Sequence, residues 1–189
     1  MQANDSDQIE PQRHGGALLI RAPQPCDGPE VWRLIEAAGA LDTNSLYCNL
    51  LQCSHFAATC AVAEMDGEIV GWMSGHALPA RPDALPDRLF VWQVCVADAA
   101  RGRGLARKMI ASVLRRPECR GLRHLECTIT EANAASWALF RSVARSFDAV
   151  LQSQPHFLRE THLDDRHDSE IRVSIGPFGA MATRRATAA

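Results

Sequence analysis

Midway along the chain an apolar run, "LFVWQVCV" (89–96), gives way to "ADAARGRG" (97–104) and then to "LARKMIASVLRR" (105–116). Unbroken aromatic and β-branched residues predict a strand in the middle of a sheet. Apolar residues four apart, Leu105, Met109 and Val113, predict an amphipathic helix that Pro117 ends. A helix that follows such a strand directly, in a chain where helices and strands alternate elsewhere, implies an α/β domain with a mixed sheet.

The flanking sequence extends that pattern. "ALLIRAP" (17–23) predicts a first strand, stopped by Pro23 and Pro25. "DGPEVWRLIEAAGAL" (27–41) puts Val31, Leu34, Ile35 and Ala38 on one helical face, with Asp27 as N-cap and Pro29 in the first turn. "DTNSLYCNLLQCSHF" (42–56) offers Asp42 or Asn44 as a second cap and Leu46, Leu50 and Cys53 as an apolar stripe. "TCAVAEM" and "EIVGWMSGHA" flank Asp66-Gly67, a favoured two-residue hairpin turn. "LPARPDALPDR" (78–88) reads as a proline-rich loop and "LRHLECTIT" (122–130) as a strand. "NAASWALFRSVARSF" (133–147) reads as a helix opened by Asn133, and "DAVLQSQPHF" with "HDSEIRVSIG" as a closing pair of strands. The expected organisation is a disordered leader at 1–16, one domain at 17–178 with about six or seven strands, and a disordered tail at 179–189.

A formal charge of -2 gives no cationic excess for nucleic acid or an anionic membrane surface. The first residues hold no apolar secretory core, and no run approaches the roughly 18 apolar residues of a membrane helix. The seven cysteines form no C-x-x-C pair, which speaks against a zinc or redox motif and for free, mostly buried thiols. The chain reads as a soluble cytoplasmic protein without a metal.

"RGRG" is the chemical clue. A helix start exposes N–H groups without internal partners, at the positive end of its dipole. Glycines let a ligand approach the backbone, and Arg101 and Arg103 add charge, so the segment reads as a phosphate seat. A plain surface turn with solvated arginines is the competing reading. No G-x-x-x-x-G-K-[ST] string exists, and Arg107 stands where a dinucleotide fingerprint needs Gly or Ala. What fits is R-x-x-G-x-A, from Arg101 through Gly104 to Ala106.

That motif, after its strand and before its helix, resembles the acetyl-CoA pyrophosphate loop of the GNAT N-acetyltransferases. The resemblance runs from the first strand to about Ile175. It implies a mixed sheet with a splayed cofactor cleft. It also implies acetyl-CoA contacts from Val94, Cys95 and Val96 on the strand, and from Arg101, Gly102, Arg103, Gly104, Leu105 and Ala106 at the loop. Asn133, Ser136 and Phe140 follow on the next helix. Phe140 departs from the pattern, since many members carry there a tyrosine that protonates the leaving thiolate. The chain's only tyrosine is Tyr47.

"LDTNSLYCNLLQCSHF", "LFVWQVCV", "CTITEANAASWALF" and "HDSEIRVSIGPF" are further similar to the diaminobutyrate acetyltransferase branch of that family, which serves ectoine biosynthesis. This implies acetylation of the 4-amino group of L-2,4-diaminobutyrate, in a homodimer, with no metal. A substrate with two ammonium groups and a carboxylate needs acidic side chains and a donor. Asp42, Asn44, Ser45 and Tyr47 supply such groups, and each also has a bland reading as cap or rim. Strand alternation sends Trp92 and Gln93 to opposite sides; if Val94 and Val96 share the face of Trp92, that ring walls the acceptor pocket. Cys95 reads as inert, with no paired base nearby. The resemblance makes His167 and Glu170 substrate-site residues, although "HDSE" alone reads as a polar turn. Glu170 is the first candidate for the base that frees the amine, and Tyr47 acting through water the second. Two rivals remain at this point: a GNAT enzyme for another small amine, and a non-catalytic acyl-CoA sensor.

Overall fold

The computed structural model of the chain describes residues 17–39 and 41–179. The leader expected at 1–16 lies outside them, as does the expected tail after Gly179. Seven strands form a single mixed sheet: β1 (Leu18–Arg21), β2 (Ala61–Met65), β3 (Glu68–Pro79), β4 (Pro86–Val96), β5 (His124–Thr130), β6 (Leu151–Phe157) and β7 (Glu170–Ile175). Their order is β1-β2-β3-β4-β5-β7-β6. Every neighbouring pair is antiparallel except β4 and β5. The helices are α1 (Gly28–Ala38), α2 (Leu46–Ser54), α3 (Leu105–Leu114), α4 (Ala134–Ser146) and the single turn α5 (Arg159–His162).

Local chemistry accounts for most boundaries. Asp66 and Gly67 both take positive φ, as a tight hairpin turn between β2 and β3 requires. Gly39 ends α1 in the left-handed conformation. Asn133 opens α4 as expected, its side-chain oxygen accepting from the Ser136 amide at 3.0 Å. The other two caps differ in part. Asp27 holds the N-cap position of α1 as expected, but its side chain makes no bond to that helix. Its carboxylate is held by the Arg21 guanidinium at 2.6 Å and by the Gln24 amide at 2.7 Å, partners stronger than a helix N–H. α2 is capped by Ser45, whose hydroxyl accepts from the Cys48 amide at 3.1 Å; Asp42 and Asn44 stay in the loop before it.

The stripe expected on α2 also differs. Leu46 is exposed, and the buried face consists of Asn49, Gln52 and Cys53. The proline-rich segment is a loop at residues 80–85 with strand on both sides: β3 runs to Pro79 and β4 starts at Pro86, and those two prolines face each other at the end of the ladder. Proline is tolerated there because a strand end needs no further donor.

Two apolar clusters sandwich the sheet. One, under α3 and α4, gathers Met73, Leu89, Val91, Met109, Ile110, Leu125, Cys127, Phe140 and Val173. The other, under α1, gathers Val31, Ile35, Cys53, Val62, Trp72 and Cys95. Five of the seven cysteines are buried, Cys26 is exposed, and all seven are free. No helix among the described residues is long and apolar enough to cross a membrane.

Candidate functional site: a cleft where two parallel strands part

β4 and β5 pair only through Arg88–His124, Leu89–Leu125 and Phe90–Glu126. Beyond Phe90 they separate, and the gap is a cleft of about 330 Å3. Val91 to Val94 form one wall and Cys127 to Thr130 the other. The start of α4 closes it with Asn133, Ser136 and Phe140, the loop before α2 adds Leu41 and Asp42, and β7 adds its first residue, Glu170.

A β-bulge shapes the β4 wall. The β3–β4 register skips Trp92, since Ser74 pairs with Gln93 and Gly75 with Val91. Side-chain alternation therefore slips by one residue. Val91 and Val94 both join the α3 cluster, which unbroken alternation would forbid. The condition that Trp92 shares the face of Val94 and Val96 is therefore not met, although Trp92 still borders the cleft. Trp92 turns toward His76, with ring centroids 5.7 Å apart, and remains 46 % exposed. Gln93 is buried, and its amide donates to the Asp42 carbonyl at 2.7 Å, tying the loop before α2 to the cleft wall.

Among the acceptor-site candidates the structure brings Asp42, Trp92, Gln93 and Glu170 to the cleft. Glu170 is the informative one. It sits opposite Thr130 in the β5–β7 ladder, and its Oε2 is shut off from solvent with no hydrogen-bond partner among the described residues. A buried carboxylate oxygen without a donor is costly, and an ammonium group would satisfy it. The other candidates stand off. Ser45 spends its hydroxyl on the α2 cap. The Asn44 backbone carbonyl accepts from the Trp32 indole at 3.1 Å, and its side-chain amide nitrogen is buried without a partner among the described residues. Tyr47 is 69 % exposed and does not line the cleft, because α2 begins only at Leu46 and turns it outward. His167 lies exposed in the loop before β7.

The cofactor candidates divide similarly. Val94, Asn133, Ser136 and Phe140 line the cleft. Cys95 faces the opposite way, its thiol 3.7 Å from the Leu34 carbonyl, and Val96 borders a separate hollow with Leu34 and Ala38. Arg101 to Ala106 lead into α3. Gly102 and Gly104 have φ of 77° and 69°, and a Cβ added at either would touch nothing within 4 Å. Gly104 is the N-cap and supplies no side-chain acceptor, so the first amides of α3 keep no cap. Arg101 pairs with Asp98 at 2.8 Å, an exposed contact worth little and readily exchanged. Arg103 rests on the Met65 sulfur at 3.5 Å. Leu105 is buried, which leaves its backbone to face a ligand. Open glycines, uncapped amides and two arginines fit the diphosphate of acetyl-CoA.

Sequence reasoning missed Thr128, Thr130 and Leu41. The alternation of "HLECTIT" was a usable signal for the threonines, since burial alternates along it and leaves both half-exposed. Cys127, which lines the cleft, is no nucleophile. Burial pushes its thiol well above the usual range, and the charges of Glu170 and Glu126 push it further. Among the described residues no group of three or more side chains is arranged to hold a metal.

The acetyltransferase (GNAT) family model matches residues 30–144. The L-2,4-diaminobutyric acid acetyltransferase of Methylotuvimicrobium alcaliphilum is 46 % identical over 87 % of this chain and 93 % of its own. That of Halomonas elongata is 44 % identical over 85 % of this chain and 82 % of its own. The diaminobutyrate acetyltransferase of Paenibacillus lautus, solved with L-2,4-diaminobutyric acid and coenzyme A, superposes with a TM-score of 0.80 at 36 % identity, covering 87 % of this chain and 98 % of that one. By strand topology, cleft and sequence alike, this chain belongs to the GNAT family and is an acetyl-CoA-dependent N-acetyltransferase.

Proposed function

We propose that the chain acetylates the 4-amino group of L-2,4-diaminobutyrate, giving N4-acetyl-L-2,4-diaminobutyrate for ectoine biosynthesis, by direct attack in a ternary complex. The observation that carries this reading is the unpartnered carboxylate oxygen of Glu170 in the β4–β5 cleft. An ammonium group has no lone pair to attack with, so a base must first take its proton. Glu170 takes it at Oε2, and the freed amine faces the gap between the strands. Bound acetyl-CoA supplies the acetyl group as a thioester, which the amine attacks with release of the thiol.

Asp42 holds the second ammonium, and Gln93 fixes the loop that carries Asp42. Trp92 walls the acceptor side. Arg101, Arg103 and the Gly102–Ala106 backbone hold the diphosphate, while Val94, Asn133, Ser136 and Phe140 line the acetyl-bearing arm. The raised thiol of Cys127 and the inward-facing Cys95 favour direct transfer over an acyl-cysteine. With Phe140 in place of a tyrosine, the departing thiolate takes its proton from water. The names of the curated relatives support action on a small molecule; a cytoplasmic homodimer with its domain at 17–178, binding neither nucleic acid nor membrane, belongs to the same proposal.

Thiol release measured with acetyl-CoA and a panel of amines tests the reading. Diaminobutyrate should exceed ornithine and lysine clearly in kcat/KM. Equal rates across the panel would replace it with a less selective amine acetyltransferase, and no thiol release with any amine would replace it with an acyl-CoA sensor.

A further inference from the structure

Diaminobutyrate carries a carboxylate, and the residues assigned above give that group no cation. Ser45 is spent as a cap and Tyr47 points outward, so the loop before α2 offers no charged donor. The sheet does. Arg172 lies two residues after Glu170 on β7, so both side chains leave the strand on the same face, with Cα atoms about 7 Å apart. Arg172 pairs in register with Thr128, a residue of the cleft wall. The same face continues into a groove bordered by Arg88, Glu126, Gln154 and Arg172.

The charges on this face are committed unequally. Arg88 is tied to Asp87 and to Glu126, and Glu126 also accepts from the Ser174 hydroxyl at 3.2 Å. Among the described residues Arg172 meets a neutral partner: with the Gln154 side-chain amide turned so that its oxygen faces the guanidinium, that oxygen accepts from Nε at 3.0 Å and from Nη2. Among the described residues no carboxylate lies within ion-pair distance of it. A guanidinium has five donors, so Gln154 steadies the group and leaves N–H bonds free.

We propose that Arg172 binds the substrate carboxylate and so selects an amino acid over a simple diamine. The inference rests on the diaminobutyrate reading of the site. In extended diaminobutyrate the 4-amino nitrogen and the carboxylate are roughly 5 Å apart by covalent geometry. That span fits a molecule laid along β7, with one end at Glu170 and the other at Arg172. Arginine suits this task because its planar fork meets a carboxylate with two parallel hydrogen bonds.

The test compares diaminobutyrate with 1,3-diaminopropane, the same molecule without its carboxylate, on the full chain and on Arg172→Gln and Arg172→Lys. The ratio of the two kcat/KM values is the readout, since it does not depend on the fraction of enzyme that is folded. In the unaltered chain the ratio should strongly favour diaminobutyrate. Arg172→Gln should lower it by about ten- to a hundredfold, by raising KM for diaminobutyrate alone, and Arg172→Lys should recover part of the loss. An unchanged ratio in Arg172→Gln, or an equal rise in both KM values, would overturn the assignment and leave the function standing. Failure of the unaltered chain to acetylate diaminobutyrate would overturn both.

Discussion

Under α3 and α4, the sheet presents Leu89, Val91, Leu125, Cys127, Ile129, Val173 and Ile175, all buried and all apolar. The opposite face of β5 and β7 presents Glu126, Thr128, Thr130, Glu170, Arg172 and Ser174, all half-buried and all polar. On that second face α1 packs over β3 and β4. The same seven strands thus serve two purposes. One face is closed and gains stability from area removed from water. The other is left open past Phe90, and there it carries a carboxylate oxygen with no partner among the described residues. Binding capacity arises where helical cover ends and where β4 and β5 stop pairing.

That contrast predicts substitutions that separate activity from stability. The largest effect belongs to Glu170→Gln. With the base proposed above removed, kcat should fall by about a hundred- to ten-thousandfold while the urea midpoint stays close to that of the unaltered chain. A large loss of stability with little loss of turnover would make Glu170 a structural residue and erase the distinction between the faces. On the closed face, Leu125→Ala should cost about 2–5 kcal/mol of unfolding free energy, read from the shift in urea midpoint at constant slope. If the shift is below about 1 kcal/mol, that face tolerates cavities and is less tightly packed than its burial implies.

The loop proposed to seat the diphosphate leads into α3. Arg101→Ala combined with Arg103→Ala should weaken acetyl-CoA binding by about tenfold to a hundredfold in a calorimetric titration, with KM for the amine nearly unchanged. Unaltered cofactor affinity would return "RGRG" to a surface turn.

The smallest effect concerns pH. Burial alone would raise the Asp27 carboxyl, but the Arg21 hydrogen bond and the Gln24 amide outweigh it and hold the group below its usual range. A carboxylate depressed in the folded state stabilises the fold above its unfolded pKa. That contribution is lost as pH falls below about 4 and through the folded value. Asp27→Asn should therefore cost about 1–3 kcal/mol at pH 7 and flatten the acid limb of the stability curve. An acid limb identical to that of the unaltered chain would show that other carboxylates govern it.

Much of the fold was legible because its signals are local. The Asp66-Gly67 turn, the Asn133 cap, the strand–glycine–helix junction at 89–116 and the alternation of "HLECTIT" each depend on residues within a few positions of one another. Errors arose where a distant group intervened. The Asp27 side chain does not cap because Arg21 reaches it from β1, and Asp42 does not cap because α2 starts three residues later than its polar cluster suggests. The inward face of α2 is Asn49, Gln52 and Cys53, a mixture that no apolar periodicity announces.

The candidate site was legible through residue type far more than through placement. Glu170, Asp42, Asn133 and the arginine–glycine loop carry chemistry that the sequence alone displays. The bulge at Trp92 follows from its pairing with β3, and the juxtaposition of Glu170 with Thr130 follows from a ladder between residues 40 positions apart. Propensity and capping are decided within a turn or two of chain, so the sequence by itself determined most of the elements and the glycine–arginine loop proposed to bind phosphate. Register, strand separation and the unpartnered charges of the open face depend on which segments meet across the sheet. Only the tertiary structure decided those, because long-range pairing is selected by the packing of the whole domain.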